Sequence, residues 1–346
     1  MNQDGLRGCQ DGDEDALIAL FNEVFKSTRS LRRWRWQFRE HPQGPGWIML
    51  AESQQEIVAQ VGMIRGNLNM AGVEIAGGQA CDAAVRPDQR NKGWLVRLSD
   101  ANFRNATDAG AKALFSFPNR NSFPGVVRHL GWDRVATLSQ YTLRLGYRRF
   151  WGRPIDGVFR VLMRLRIAAR SATLRSRVSL AKGHVQEEER IPDMVGSLLQ
   201  EFRSYEMLCL WKDLEYLRWR YERHPDNRYR FHTLVAGGQA NGFVVSRSVG
   251  DTVAICEILS RKKDVLATAL LVNAVVEHYC AAGSQKVVFF GHDDGFFDSV
   301  LACCGFSRTY SSDLVFTGRV YGDPALAIRF LLPGNWTIAY GDTDVI

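Results

Sequence analysis

The order of hydrophobic and polar positions divides the first half of the chain into alternating helices and strands. Apolar residues recur with a 3.6-residue period after Asp13 and again between 92 and 109, which predicts helices. Short apolar runs bounded by Gly, Gln or Pro predict strands. The predicted elements are a helix from Asp13, a helix over 31–39, strands over 46–52, 56–66 and 77–86, a helix over 92–109, a strand over 112–118, a short helix over 123–130 and strands over 133–146.

The second half repeats this plan. Residues 36–42 (WQFREHP) recur as 219–225 (WRYERHP), with four of seven positions alike at an offset of 183. Further on, 123–132 finds its counterpart in 297–306 at an offset of 174. The second copy runs from about 193 to 320, with its long helix over 264–282. Trp36 and Trp219 occupy matching positions in aromatic-rich helices, so we expect both to anchor a core.

A basic segment separates the two copies. Residues 148–182 carry ten basic residues and one acid, Asp156, so this segment has a formal charge of +9, whereas the remainder of the chain is −2 and the whole chain is +7. We therefore divide the chain into domains at 1–147 and 191–346, with a basic linker or insert over 148–190.

The basic segment is predicted to be helical. Val158, Val161, Leu162 and Leu165 form an apolar stripe that Met163 and Ile167 interrupt. A solvated linker is the simplest interpretation, and charge reversal of Arg160, Arg164 and Arg170 would then leave the melting temperature unchanged. Contact of 148–182 with an anionic membrane surface or an acidic partner stays open. Nucleic acid is disfavoured because no aromatic residues alternate with the charges.

Composition narrows the class of protein. With 46% hydrophobic and 23% charged residues in 346, the chain is typical of a folded globular protein. Its longest nearly apolar run, 265–276, is shorter than the roughly 20 residues of a membrane span. Acids near the start disfavour a secretory signal, so we expect a cytoplasmic protein with reduced thiols. Seven cysteines and seven histidines lack metal-ligand spacing, so no metal site is expected.

Residues 81–95 (CDAAVRPDQRNKGWL) carry the most chemical information. A strand ends at Val85, and a helix begins near Gly93. Backbone N–H groups at a helix start, together with a glycine that permits close approach, form a cradle for an anion. Arg90 and Lys92 add positive charge. An ordinary basic turn between a strand and a helix is the alternative.

The same segment resembles the acetyl-coenzyme A motif of the GNAT acyltransferase superfamily, in which a strand ending V-x-P is followed by R/Q-x-x-G-x-G/A. Arg90 to Gly93 match the first four positions, whereas Leu95 stands where Gly or Ala is usual. F-P-N at 117–119 and the W…G-D-x-D tail at 336–344 resemble a tandem-domain branch of that superfamily. The resemblance covers nearly the whole chain outside 148–190.

The resemblance implies an α/β (α+β) fold of two tandem GNAT-like domains, each a mixed, mostly antiparallel sheet flanked by helices. It implies acetyl-coenzyme A as cosubstrate of the first domain and no metal. The expected coenzyme-binding residues are Val85, Arg90, Asn91, Lys92, Gly93, Trp94, Leu95 and Asn121.

The corresponding loop of the second copy, 259–265, has no glycine, which favours a structural or acceptor-side copy. Its cations Arg261, Lys262 and Lys263 keep a second coenzyme site open.

The implied reaction is N-acyl transfer to an amine of a small molecule or amino sugar by direct attack. Asp82 is the only acid on the strand expected to hold the acyl group, so we expect it to accept the amine proton. Cys81 should face the opposite side of the strand. The superfamily's usual Tyr acid position is Val127 here. The alternative function is that of a degenerate GNAT-fold binding or scaffolding protein.

Two acidic residues near the end of the sequence, Asp342 and Asp344, have two possible interpretations. They form either a frayed tail or an acidic lip on the first domain's acceptor cleft.

Overall fold

A computed structural model of the chain describes residues 5–146, 153–178 and 183–343. These fall into two compact units. Unit 1 consists of Met1–Ala136, Arg223–Asp226 and Asp313–Leu332, and unit 2 consists of Thr137–Glu222, Asn227–Ser312 and Pro333–Ile346. The predicted boundaries at 147 and 191 do not coincide with these units, because each unit contains segments from both halves of the chain.

The elements follow the predicted order closely. The strands are β1 (Gly5–Gly8), β2 (Trp47–Ser53), β3 (Glu56–Arg65), β4 (Leu68–Met70), β5 (Val73–Ile75), β6 (Gly77–Val85), β7 (Ala113–Ser116), β8 (Asp133–Arg144), β9 (His184–Glu188), β10 (Leu208–Leu210), β11 (Arg230–Ala236), β12 (Gln239–Val249), β13 (Thr252–Ser260), β14 (Lys286–His292), β15 (Ser307–Val320) and β16 (Ile338–Ala339). The helices are α1 (Glu14–Phe25), α2 (Leu31–Phe38), α3 (Trp94–Asp108), α4 (Phe123–Leu130), α5 (Arg153–Arg177), α6 (Val195–Tyr205), α7 (Leu214–Leu217), α8 (Val265–Ala281), α9 (Phe296–Cys303) and α10 (Pro324–Phe330).

Unit 1 is built on a sheet in the order β1-β2-β3-β6-β7-β15. All neighbouring strands are antiparallel except β6 and β7. Alternate residues of β2 face opposite layers of helix, since Leu50 clusters with Trp34 and Met49 clusters with Trp94. Helices α1 and α2 thus cover one face of this sheet, and α3 covers the other.

Strands β6 and β7 pair over a short distance only. Their parallel ladder joins Gly77–Ala113, Gly78–Leu114 and Gln79–Phe115 and then ends. Among the described residues, β6 from 80 to 85 therefore pairs with β3 alone. The backbone groups on its other edge are left for a different partner.

Unit 2 repeats this arrangement with the sheet order β8-β14-β13-β12-β11-β9. Here β13 and β14 form the parallel pair, joined from Thr252–Lys286 to Ile255–Phe289. The other neighbours are antiparallel. Each unit thus has a mixed, mostly antiparallel sheet flanked by helices, which confirms the predicted fold class.

Helix α5 belongs to unit 2 and packs against α8. Met163, Ile167 and Leu174 are buried in the cluster that contains α8, and Asn273 donates a hydrogen bond to the Ile167 carbonyl at 3.2 Å. Two expectations are therefore wrong for the described residues 153–178 of this segment, whereas 148–152 and 179–182 lie outside the described residues. Residues 153–178 are not a solvated linker, and the residues thought to interrupt the apolar stripe form the buried face.

No helix in the described part of the chain is long and apolar enough to cross a membrane. Trp36 and Trp219 are 2% and 1% exposed. Both therefore serve as core anchors, as their repeated positions predicted.

Candidate functional site

The turn before α3 has an uncapped helix start. Gly93 occupies the N-cap position with φ of +76°, and no side chain accepts a hydrogen bond from the first turn. A Cβ at Gly93 would meet no atom within 4 Å. Backbone N–H groups at an open helix start attract anions, so this turn fits a phosphate-bearing ligand.

Three neighbours of Gly93 are exposed and polar, namely Arg90, Asn91 and Lys92. Asn91 has φ of +64°, a left-handed backbone that Asn tolerates better than most residues. The Lys92 Nζ donates to Gln89 Oε1 at 2.8 Å, which keeps its charge beside the turn. The loop therefore adds two positive charges to the helix N-terminus.

The other predicted coenzyme residues are placed differently. Trp94 is buried, and the partly buried Val85 and Leu95 pack on the same cluster between α3 and the sheet. These three residues can reach a ligand mainly through their backbone. Asn121 is exposed, and its N–H donates to Asn119 Oδ1 at 2.9 Å in the turn before α4.

A β-bulge lies on β6 at the proposed catalytic residue. Gly62 pairs with Cys81 and Gln60 with Ala84, so Asp82 and its neighbour face a single residue of β3. Asp82 has φ of +50°, an uncommon backbone for a non-glycine residue. Strain of this kind persists where surrounding structure enforces it and is concentrated at functional sites.

The bulge overturns the expectation that Cys81 and Asp82 face opposite sides. Cys81 Sγ accepts a hydrogen bond from Gln37 on α2 at 3.5 Å. Asp82 forms an ion pair with Arg29 in the α1–α2 connection. Both side chains therefore reach the helical layer of α1 and α2, because the extra residue breaks the alternation.

Arg29 is held firmly against Asp82. Its Nη2 donates to Asp82 Oδ1 at 3.1 Å, while Nη1 donates to Oδ2. The guanidinium also lies 3.5 Å from the centroid of the Phe21 ring. Asn22 fixes the Arg29 backbone by accepting from its N–H at 2.8 Å. The Asp82 side chain is only 8% exposed, so both carboxylate oxygens are engaged in a largely buried pair.

Unit 2 carries a counterpart of this pair. Lys212 Nζ lies 2.8 Å from both carboxylate oxygens of Glu257 and 2.8 Å from Asp342 Oδ1. Lys212 lies 183 positions after Arg29, and Glu257 lies 175 after Asp82. Cys81-Asp82 thus recurs as Cys256-Glu257. This match was not among the sequence predictions, although the offset of 183 between 36–42 and 219–225 also aligns Arg29 with Lys212.

Asp342 is an interior residue of unit 2. It is 2% exposed, and its Oδ2 accepts from the Ala339 N–H at 2.9 Å. The two expectations for this residue, a frayed tail or an acidic lip on the first domain's cleft, are therefore both wrong. Asp344 lies outside the described residues.

The helix start of unit 2 that corresponds to the α3 turn is capped. Asp264 Oδ1 accepts from the Ala267 N–H at 3.0 Å. Of the cations before it, Arg261 pairs with Glu201, and Lys263 lies 2.9 Å from Asp294 and 3.3 Å from Glu206. These charges serve contacts within unit 2, so this helix start is less suited to an anion than the α3 turn.

The C-terminal segment occupies the edge of β14 in unit 2. Strand β16 pairs with β14 through Gly291–Ala339 and His292–Ile338. Gly291 also pairs with Ser139 of β8, so β16 lies on the opposite edge, beyond the last pair with β13. The fit is close, because a Cβ at Gly341 would lie 1.9 Å from the Tyr221 hydroxyl. In unit 1 the parallel pair is β6 and β7, and among the described residues no strand lies beside β6 on that edge past its last pair with β7 at Gln79–Phe115.

Unit 1 also has an acidic cavity of about 550 Å³ between α1 and the β2–β3 hairpin. Its charged lining residues are Arg7, Asp13, Glu23, Glu52, Glu56 and Arg86. Arg7 pairs with Asp13 and Glu52, and Arg86 pairs with Glu56. Carboxylates exceed cations by two in this lining, which favours a cationic ligand.

Within the described ranges, no group of three or more His, Cys, Asp or Glu side chains is arranged to hold a metal ion. All seven cysteines are free thiols, and five of them are buried.

Part of the chain matches a known protein family, and its fold is similar to those of solved structures. Residues 6–135 match the family model described as Acetyltransferase (GNAT) domain, whereas no curated protein matches the chain. A probable N-acyltransferase of unknown function from Enterococcus faecalis V583 is 12% identical, with a TM-score of 0.66 over 92% of this chain and 73% of that one.

Two further solved structures share the fold. The GCN5-related N-acetyltransferase of Kribbella flavida is 14% identical, with a TM-score of 0.61 over 92% of this chain and 71% of that one. Saccharomyces cerevisiae N-myristoyltransferase with bound myristoyl-CoA is 11% identical, with a TM-score of 0.56 over 90% and 82%. The family match is therefore confined to residues 6–135, whereas the likeness to these solved structures shows a shared fold over most of the chain.

Proposed function

We propose that unit 1 is an acetyl-coenzyme A-dependent N-acyltransferase that acts on an amine of a small molecule or amino sugar. The observation that carries this proposal is the uncapped helix start at Gly93, which follows β6 and the turn over 86–92, where β6 has already separated from β7. The seven free thiols fit a reducing, cytoplasmic setting.

The residues around this turn fit the coenzyme. First-turn N–H groups of α3, with Arg90 and Lys92, would hold its phosphates, and the open space over Gly93 permits close approach. The free edge of β6 up to Val85 offers backbone hydrogen bonds to an extended arm. Asn121 would add a polar contact. When bound, acetyl-coenzyme A supplies the acyl group as a thioester.

Asp82 is the proposed proton acceptor for the attacking amine. Its ion pair with Arg29 requires a carboxylate, which is the form that can accept a proton. Because Arg29 engages both oxygens, the proton would reach Asp82 through a water or after Arg29 shifts. Val127 offers no proton to the departing thiolate, so that proton comes from solvent in this scheme.

The amine class is supported by charge. The acidic cavity of unit 1 borders Arg86, the residue directly after β6, and its excess of carboxylates would attract a protonated amine. A second acetyl-coenzyme A site in unit 2 is disfavoured by the Asp264 cap and by β16 on the edge of β14.

We also propose that the chain is a tandem repeat of the GNAT-like domain, with unit 2 as the degenerate copy. The matched pairs Arg29–Asp82 and Lys212–Glu257, each joining the segment before a repeated helix to the bulged strand, support this. Two units that share one plan but differ at the anion cradle are consistent with one coenzyme site per chain.

A protein that binds coenzyme without transferring the acyl group is the second candidate. Val127 in place of a hydroxyl donor and the engagement of both Asp82 oxygens favour it. Release of free thiol in the presence of a panel of amines distinguishes the two, because only a transferase releases coenzyme A in an amine-dependent manner.

Calorimetric titration of acetyl-coenzyme A into wild type, Gly93→Val and Gly110→Val tests the coenzyme site. Gly110 follows the far end of α3 with φ of +93° and no atom within 4 Å of a Cβ there, so its substitution strains the backbone as Gly93→Val does but at the opposite end of the helix. We expect Gly93→Val to weaken binding by about tenfold or more and Gly110→Val to bind as wild type does. Equal affinities in both folded variants would refute the proposed site.

A further inference from the structure

The outward face of α5 combines exposed aliphatic side chains with arginines. Val158, Val161, Leu162 and Leu165 are 62%, 57%, 52% and 63% exposed. Their spacing of i, i+3, i+4 and i+7 places them in one stripe along the helix. The stripe points away from Met163, Ile167 and Leu174, which pack on unit 2. Four neighbouring aliphatic residues at half or more exposure indicate a contact surface rather than scattered surface residues.

Arginines lie on both flanks of this stripe and of the helix surface that continues it toward Arg177. At 100° per residue, Arg166 and Arg177 fall on one flank and Arg164 and Arg175 on the other, and all four are exposed. From Val158 to Arg177 the helix contains six arginines and no acidic residue. An apolar stripe between two rows of arginine is the pattern of a helix that lies in the interface of an anionic bilayer.

We propose that α5 docks the protein on an anionic lipid surface. The aliphatic stripe would enter the boundary between headgroups and acyl chains, and the flanking arginines would extend to the lipid phosphates. A second copy of the chain is a poorer occupant, because apposed stripes would bring two sets of arginine rows together. This inference does not depend on the acyltransferase proposal, since it uses none of the residues around α3 or β6.

The test is co-sedimentation of the full-length protein with vesicles of equal parts phosphatidylcholine and phosphatidylglycerol, or of phosphatidylcholine alone. We expect binding to the anionic vesicles only, weakened by salt. The pair Leu162→Ser and Leu165→Ser should reduce partitioning about tenfold or more. The pair Arg166→Gln and Arg177→Gln should reduce it about tenfold.

Two matched controls separate the α5 surface from general effects. Ile328→Ser removes an aliphatic side chain that is 68% exposed on α10, and the pair Arg32→Gln and Arg104→Gln removes two exposed charges of unit 1. Both should bind vesicles as wild type does. Thermal melting verifies that every variant is folded.

Three results would overturn the proposal. The first is failure of the wild-type protein to bind anionic vesicles. The second is undiminished binding by the Leu162→Ser and Leu165→Ser protein, which would indicate a purely electrostatic surface suited to an acidic protein. The third is a wild-type dimer that the same two substitutions dissociate, which would assign the stripe to a second copy of the chain.

Discussion

The backbone angle of Asp82 changes the side of β6 toward which its carboxylate points. Simple alternation placed Cys81 and Asp82 on opposite faces, but φ of +50° at Asp82 and the bulge bring both side chains toward α1 and α2. The sequence identified the acid and its strand. It could not reveal the bulge, because a bulge is defined by how β6 pairs with β3, and this pairing is not visible in the residue pattern of β6 itself.

We predict that Asp82→Asn lowers the turnover number by about a hundredfold, the usual scale for a lost general base, while coenzyme affinity stays unchanged. The defect should shrink as pH rises, because the amine then loses its proton unaided. Steady-state kinetics over a pH series and calorimetry provide the two measurements. Cys81→Ala should keep its activity, and an acetylated Cys81 that forms and decays at the catalytic rate would contradict direct attack.

Arg29→Gln is the matched control for Asp82. This substitution leaves the carboxylate in place while removing its ion pair, so a proton-accepting Asp82 predicts a much smaller loss of turnover than Asp82→Asn shows. Equal losses in both variants, accompanied by equal drops in melting temperature, would assign the pair a structural role like that of Lys212 and Glu257.

Glu257 should make stability depend on pH. Burial raises the pKa of its carboxyl from 4.5 to about 7, with Lys212 opposing this effect and Asp342 adding to it. Two carboxylates share one ammonium, so one negative charge is in excess. Because the pKa is higher in the folded than in the unfolded chain, the associated stability is present below about pH 4.5 and is lost as pH rises through about 7.

We therefore predict that the free energy of unfolding of wild type falls on the order of 2 kcal/mol relative to Glu257→Gln between about pH 5 and pH 8. Urea denaturation of both proteins across that range measures the difference. A constant difference between wild type and Glu257→Gln would show that Lys212 keeps both carboxylates ionised throughout.

At the scale of elements, helix and strand positions were largely predictable, whereas the packing of α5 was not. The repeating apolar pattern gave α3, α4 and α8 to within a few residues. On α5 the clearest apolar stripe is the exposed one, and the buried face is narrower. Periodicity identifies an apolar face of a helix but not what packs on it. For a helix with two apolar faces, it therefore cannot predict which face is buried.

Arg170 and Arg166 should differ in their effect on stability, contrary to the sequence-based expectation for reversed charges on this helix. Arg170 Nη1 donates to the Cys304 carbonyl at 2.8 Å, and its guanidinium lies where a Cβ of Gly305 would be. Arg170→Glu should therefore cost about 2 kcal/mol, whereas Arg166→Glu should stay within about 0.5 kcal/mol. Chemical denaturation measures both, and equal stabilities would mean that the Arg170 contact contributes nothing.

At the scale of the whole molecule, the sequence predicted two similar folds but not how the chain is divided between them. Segment 313–332 belongs to unit 1, and segment 137–146 belongs to unit 2. Local patterns report helices and strands, whereas the partner of a terminal strand is decided by long-range pairing that periodicity does not encode. The candidate site was predictable at the α3 turn, because Gly and basic residues there have a local physical meaning.

The two units should therefore contribute unequally to coenzyme binding. Unit 1 offers an uncapped helix start and a free strand edge, while in unit 2 Asp264 caps the helix and residues 338–342 occupy the edge of β14. We predict that calorimetry shows one acetyl-coenzyme A bound per chain. Gly93→Val should weaken or abolish this binding, whereas Lys263→Gln should leave both the affinity and the stoichiometry unchanged. Two equivalent sites, or a bound phosphate located at 259–265, would contradict this prediction. Either result would mean that the ligand displaces residues 338–342 from the edge of β14 and that the helix start capped by Asp264 binds anions.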